Sequence, residues 1–346
     1  MQATLLGVSI AIILALLAAL VGPYFVDWSA YRAVFEGQAS RLIGASVRVE
    51  GAIDVRILPT PSLVLRQVAA GAPGGPAQLR ARELSVELAL GPVLRGQWQV
   101  AEARLAGLEL QLGFDASGRV DWPLALEGFD PAQVSIGRLT IQDGRAVLQS
   151  AANGSRVTIE NLRFDGEVRS LLGPIKGAGS FAFEESPYQF ELSAGRVDEN
   201  AAAKLHLSVD PVDQPLTIET DGTLNFSGDA PEFIGTLNLA RPAGAVDASG
   251  RGVAFVPWRA TGQIKASPVS ALIQQGEFQY GPDEQALKLS ATANVSFGKT
   301  PRFDAVVSGG RLNLDGVIDL PEPARRLPAV ALGALVQHLE KPEGLV

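Results

Sequence analysis

No cysteine occurs in the 346 residues, which excludes disulfide scaffolds, thiol nucleophiles and Cys-ligated zinc or iron–sulfur sites. Histidine is nearly absent too. Only His206 and His338 occur, so His-based metal sites and catalytic triads have almost no material. Charged residues make up 19%, against about 25% in an ordinary globular chain. That charge leans acidic, with 29 Lys+Arg against 37 Asp+Glu and a net −8. The electrostatic footprint of a nucleic-acid binder is therefore missing. At 47% hydrophobic residues, the chain is also too apolar to be disordered. These absences predict a protein that is not an enzyme and carries no metal or cofactor.

Charge is absent altogether from residues 1–26, and residues 5–21 are almost wholly aliphatic. About 20 such residues cross a hydrocarbon core of roughly 30 Å. Tyr24 and Trp28 follow, where amphipathic rings favour the interface. An uncleaved transmembrane anchor over 1–26 competes with a cleaved signal peptide and a buried core helix. A signal peptide would want a basic start and an A-x-A site, and neither is present. Orientation stays open, because Arg32 and Arg41 only weakly favour placing the following region in the cytoplasm.

Residues 29–42 read as one amphipathic helix, with Tyr31, Val34, Phe35 and Leu42 at helical spacing, Ser29 as cap and Gly44 as terminator. Beyond Gly44 the period falls to two. Val47 and Val49, then Ile53, Val55 and Ile57, then Leu63 and Leu65 alternate with polar or small residues. Leu84, Val86, Leu88 and Leu90 form the cleanest strand, closed by Gly91-Pro92. Apolar parity switches between Val100 and Ala103, again beside Gly107, and once more at Gly137, as bulges require. Gly144 is expected to turn the chain. Alternation resumes through some eighteen strands to Leu314, with short helices expected at 268–275 and 330–339.

Such alternation predicts a mainly β chain in which each strand has one dry and one wet face. Two completions follow. In a β-sandwich two dry faces meet; in a long curled antiparallel β-sheet the dry face lines a groove that protein does not fill. Periodicity does not separate them.

The first 125 residues resemble the AsmA family of bacterial envelope proteins. The features are the apolar N-terminus, then WSAYRAVFEGQASRLIGASVRVEGAIDVRILPTPSLVLRQVAA, RARELSVELALGPVLRGQWQVAEARLAGLELQL and DASGRVDWP, in that order. The resemblance implies a single-pass inner-membrane anchor, a periplasmic β region, and the groove rather than the sandwich. It also implies a role in outer-membrane biogenesis and phospholipid movement. Three regions are expected: an anchor at 1–26, an AsmA-like module at 27–125 and a repeated β-groove region at 126–346. The chain is shorter than many relatives, as a short member or a fragment would be.

Gly177-Ala-Gly179-Ser-Phe-Ala182 matches a dinucleotide fingerprint, but a strand ending at Glu184-Glu185-Ser186-Pro187 follows instead of the required helix. The loop at 71–76 lacks the Gly-Lys-Ser/Thr of a P-loop. His206, between Leu205 and Leu207, belongs to a wet face. Glu184–Glu185 and Asp283–Glu284 read as solvated turn charges, and Asp121-Trp122 as the end of a module. The stripe that remains is apolar: Leu84, Val86, Leu88, Leu108, Leu110 and Leu112 are the candidate lipid-contacting residues, with an ordinary core as the competing reading. The expected partners are the membrane, phospholipids and other envelope proteins. The alternative function is a scaffold that assists outer-membrane protein assembly by pairing its strand edges with client polypeptide.

Overall fold

The computed structural model describes residues 20–72, 75–89, 91, 100–121, 135–151, 154–170, 172–242, 256–281, 286–297 and 302–309. Most of the expected anchor, Trp122, the Asp283–Glu284 pair, the helix expected at 330–339 and Leu312–Leu314 lie outside them. Among the described residues no helix is long and apolar enough to cross a membrane.

The described part opens with two 3₁₀ turns, Gly22–Phe25 and Trp28–Tyr31, and one α-helix, α1, Arg32–Ile43. Asp27, rather than the expected Ser29, caps the second turn by accepting a 3.0 Å hydrogen bond from the Ser29 amide. Gly44 ends α1 in the left-handed region at φ 74°, a conformation that a Cβ disfavours.

α1 seals the first edge of a sheet. Strand β1 (Ser46–Val49) pairs with β3 (Ser62–Gly71) along one side only. On its other side, Glu36 Oε1 accepts from the Val49 amide at 2.7 Å and Ser40 Oγ from the Val47 amide at 2.9 Å. Arg32 Nη2 donates to the Gly51 carbonyl at 3.1 Å. These side chains recur every four residues on one helix stripe and satisfy backbone groups that an open edge would leave free. Phe35 and Ala39 pack on the core of Val47, Val49, Ile53, Leu65, Val68 and Ala70. Tyr31 and Val34, expected to face inward, are instead 52% and 59% exposed, because the sheet is engaged by the polar stripe and by Phe35.

The seventeen strands among the described residues all belong to a single sheet, so the sandwich alternative falls. β2 (Ile53–Arg56) shares the β1 edge of β3. β4 (Ala77–Leu88), β5 (Val100–Phe114) and the short β6 (Val120–Asp121) follow. β7 (Ile136–Ser150) then pairs with β5 in parallel, a departure from the purely antiparallel expectation. The remaining strands form an antiparallel meander: β8 (Arg156–Val168), β9 (Ile175–Phe183), β10 (Ser186–Ala194), β11 (Ala202–Pro211) and β12 (Thr217–Asn225). It continues through β13 (Glu232–Arg241), β14 (Trp258–Ser267), β15 (Ser270–Tyr280), β16 (Leu287–Ser296) and β17 (Arg302–Gly309). The helix expected at 268–275 is a two-residue turn leading into β15, since Ala271 and Ile273 belong to a strand alternation. Gly144 does not turn the chain; it lies inside the 15-residue β7.

A row of irregularities crosses β3, β4, β5, β7 and β8. Gln67, Gly107, Asp143 and Asn161 all have positive φ, between 51° and 62°, and Arg82 opposite Gly107 is skipped in the register. Each extra residue flips the parity of its strand, and bulges bend and twist a ladder. Because the bulges align across neighbours, every strand flips together and the apolar face stays continuous. The expected switch at Gly107 is therefore present, and a register shift between Ile136 and Leu139 accompanies the one expected at Gly137.

Candidate functional site

Register converts the alternation into one face. Ile53 opposes Leu65, Leu65 opposes Leu84, Leu84 opposes Leu105, Leu105 opposes Ile141, and Ile141 opposes Phe164. Phe164 opposes Gly179, Gly179 opposes Phe190, and the row continues through Val209, Ile218, Leu239, Ala260, Phe278 and Leu289. Not one polar side chain interrupts this line across the sheet.

Burial along it is uneven. Under α1, Leu65 is only 2% exposed and Val49 equally buried. From β9 onward most residues of the face are half-buried, as in β10, where half-buried and exposed positions alternate from Ser186 to Ala194. A face covered by a second layer would be dry throughout. Among the described residues no polar or charged side chain is buried.

The six candidate residues all reach this face, but as two separated groups. Leu84, Val86 and Leu88 lie half-buried on β4, opposite Leu105, Ala103 and Val100. Leu108 is buried opposite Ala81, while Leu110 and Leu112 are half-buried on β5, Leu110 opposite Leu79. The bulge at Arg82 and Gly107 stands between the groups.

An aromatic cluster at β8–β10 was not singled out by sequence. Phe181 stacks on Tyr188 with centroids 5.2 Å apart and meets Phe190 at 5.9 Å; Phe164 and Phe190 are 6.3 Å apart. Glycines make room beneath the rings. A Cβ on Gly166 or Gly177 would sit 2.6 Å from the Phe164 ring, and one on Gly179 2.7 Å from that of Phe190. The glycines of the apparent dinucleotide motif thus serve ring packing on a strand. Phe233 covers Gly222 and Gly235 in the same way. Alternation at Phe181–Phe183 and 188–192 was legible, but grouping the rings needs the register.

The opposite face is a lattice of exposed ion pairs. Arg66 bridges Asp54 at 3.3 Å and Glu83 at 3.7 Å; Arg104 reaches Glu102 at 2.7 Å and Glu87 at 3.3 Å. Arg138 engages both oxygens of Asp165, at 3.0 and 2.8 Å from Nη2. The hydrogen bond from Arg138, with its charge and a further bond from Thr140, holds the Asp165 carboxyl below the usual carboxylate range, while Asp165 raises Arg138. His206 lies on this face, as expected, with Nδ1 2.7 Å from Asp221 Oδ1. Among the described residues, no group of His, Cys, Asp and Glu could hold a metal ion.

One contact joins distant strands. Asp115 Oδ1 accepts from the Ser117 and Arg119 amides at 2.8 and 3.0 Å and from Ser117 Oγ at 2.6 Å, shaping the turn after β5. The hydrogen bond from Ser117 is the main reason why the Asp115 carboxyl lies below its ordinary range. Arg119 at the end of this turn pairs with Asp229, between β12 and β13, at 3.1 Å. Gly118, buried at φ 87°, lies against Ala230, Pro268 and Val269.

No curated protein and no solved structure matches the chain. The AsmA family model matches residues 1–169, from the apolar N-terminus through α1 and the bulged strands to the end of β8, further than the 125 residues that carry the resemblance. By this N-terminal half, the chain belongs to the AsmA family.

Proposed function

We propose that the chain is an inner-membrane-anchored periplasmic protein that binds or conducts phospholipid acyl chains along the apolar face of its sheet, in service of outer-membrane biogenesis. The observation that carries this reading is the unbroken apolar line from Ile53 to Leu289, half-buried over much of its length. Acyl chains laid on such a surface gain roughly 0.8 kcal/mol for each buried CH₂, and no reaction centre is needed. The protein acts in this reading as a carrier surface, not as an enzyme. Family membership supports an envelope role and lipid transport in general terms. The charge-free residues 1–26 supply the anchor.

Leu110→Asp tests the reading. The full chain and the variant are purified identically, and the organic extracts are compared by mass spectrometry. Stoichiometric phospholipid on the parent and its loss from a folded variant are expected. Equal lipid on both would reject the assigned face. A folded parent without lipid would move the scaffold reading, in which strand edges pair with client polypeptide, to first place.

A further inference from the structure

The contact between the Gly118–Arg119 turn and the hairpins at 226–231 and 268–269 joins opposite rims of the sheet. β5 and β7 run in parallel; with strict antiparallel alternation thereafter, the turn after β5 lies at the rim where β7 ends. The β12–β13 and β14–β15 hairpins lie at the other rim. Along the hydrogen-bonding direction six steps separate β5 from β12, and eight separate it from β14, or about 29 and 38 Å at ~4.8 Å each. Such a contact requires the ribbon to twist and coil back on itself between β5 and β14. The aligned bulges of β5, β7 and β8 supply bend and twist at its start.

A turn of about eight strands has a definite width. Closed barrels of that size either fill with side chains or hold one small ligand. Here the rings of Phe164, Phe190 and Phe233 lie flat over Gly166, Gly177, Gly179, Gly222 and Gly235 and give the wall between β8 and β13 an aromatic lining. The seam itself is weak. It consists of turn contacts and an ion pair whose side chains are 56% and 81% exposed and screened by solvent, with no backbone ladder between these turns.

We propose that strands β5–β14 wind through one turn closed by the Gly118–Arg119 seam, enclosing a lumen that holds the acyl chains of a single phospholipid, and that the seam parts to admit it. This inference rests on the acyl-chain reading above.

The absence of cysteine makes the test clean. A Cβ on Gly118 would lie 3.4 Å from that of Ala230, close to disulfide range. The full-length Gly118→Cys/Ala230→Cys protein is loaded from vesicles of phosphatidylethanolamine and phosphatidylglycerol carrying fluorescent phosphatidylethanolamine, oxidised, and washed with cyclodextrin. Retention of one phospholipid by the oxidised protein, its release by dithiothreitol, and at least tenfold faster loss from the reduced protein are expected. Arg119→Cys/Asp229→Cys joined by a short bismaleimide covers the case in which a cysteine at φ 87° prevents folding. Failure of both pairs to link, with probe uptake intact, would overturn the seam and leave the acyl-chain reading standing. Linkage without retention, or retention of several lipids, would overturn the single-lipid lumen. Absence of uptake in either state would sink the acyl-chain reading and this inference with it.

Discussion

Arg119 and Asp229 meet at 3.1 Å although six strand steps of the sheet lie between them. Among the described residues, Arg82 and Asp143 reach across one intervening strand, and the other ion pairs that bridge strands join hydrogen-bonded neighbours, as Arg104 and Glu87 do. The Arg119–Asp229 pair reports the path of the whole ribbon. Its strength is unimportant, since both side chains are exposed; its location constrains how the strands between them are arranged.

The α1 end is where stability concentrates. Leu65 is 2% exposed at the centre of the cluster beneath the helix, and Leu65→Ala removes three buried carbons and leaves a cavity. A loss of about 2–5 kcal/mol is expected, read as a lower urea midpoint. Leu239→Ala, on the half-buried part of the face, should cost clearly less.

Glu36 holds the first edge closed through the Val49 amide. Glu36→Ala should cost about 1.5–3 kcal/mol, the range for a hydrogen bond to a charged group. It should also speed hydrogen exchange at Val49 and Val47 before any change at β10–β12. Uniform exchange changes along the sheet would contradict an edge role for this side chain.

Gly179→Ala forces a Cβ against the Arg163 carbonyl and to 2.7 Å from the Phe190 ring. Overpacking of this kind typically costs about 1–3 kcal/mol. The near-ultraviolet circular dichroism of the aromatic cluster should weaken while the far-ultraviolet β signal persists. An unaltered aromatic signal would mean that the rings do not depend on the glycine.

Arg138 and Asp165 set an acid limb. The folded Asp165 carboxyl lies below its unfolded value, so its contribution is present above the unfolded pKa and disappears as pH falls through the folded one. Melting temperature should therefore drop below about pH 4, and Arg138→Gln should flatten that drop. The variant should melt like the parent at the lowest pH. A parallel offset at all pH values would argue against this pair as a source of the acid limb.

Strand identity and face were legible because a strand repeats every two residues and one dry face leaves that period in the chain. Leu84–Val86–Leu88 and Leu108–Leu110–Leu112 could be placed on a dry face, and the parity switch at Gly107 announced its bulge. Local signals failed where a side chain answers to another element. Tyr31 and Val34 have helical spacing yet both point to solvent, because Phe35, Glu36 and Ser40 engage the sheet. Ala271 and Ile273 looked helical near Pro268 until β14 and β16 claimed them.

The AsmA resemblance of the N-terminal residues, the β class, the charge-free opening segment and the two-faced character of the strands are readable residue by residue along the chain. Each of these is written in composition or in a period of a few residues. It takes the assembled fold to show that the strands of the described residues join one sheet, that β5 and β7 run parallel, and that bulges align so the apolar face never breaks. That fold alone also brings Arg119 to Asp229. Those outcomes depend on register between segments tens of residues apart, which alternation within a strand does not encode, since a ladder shifted by two residues keeps the same faces.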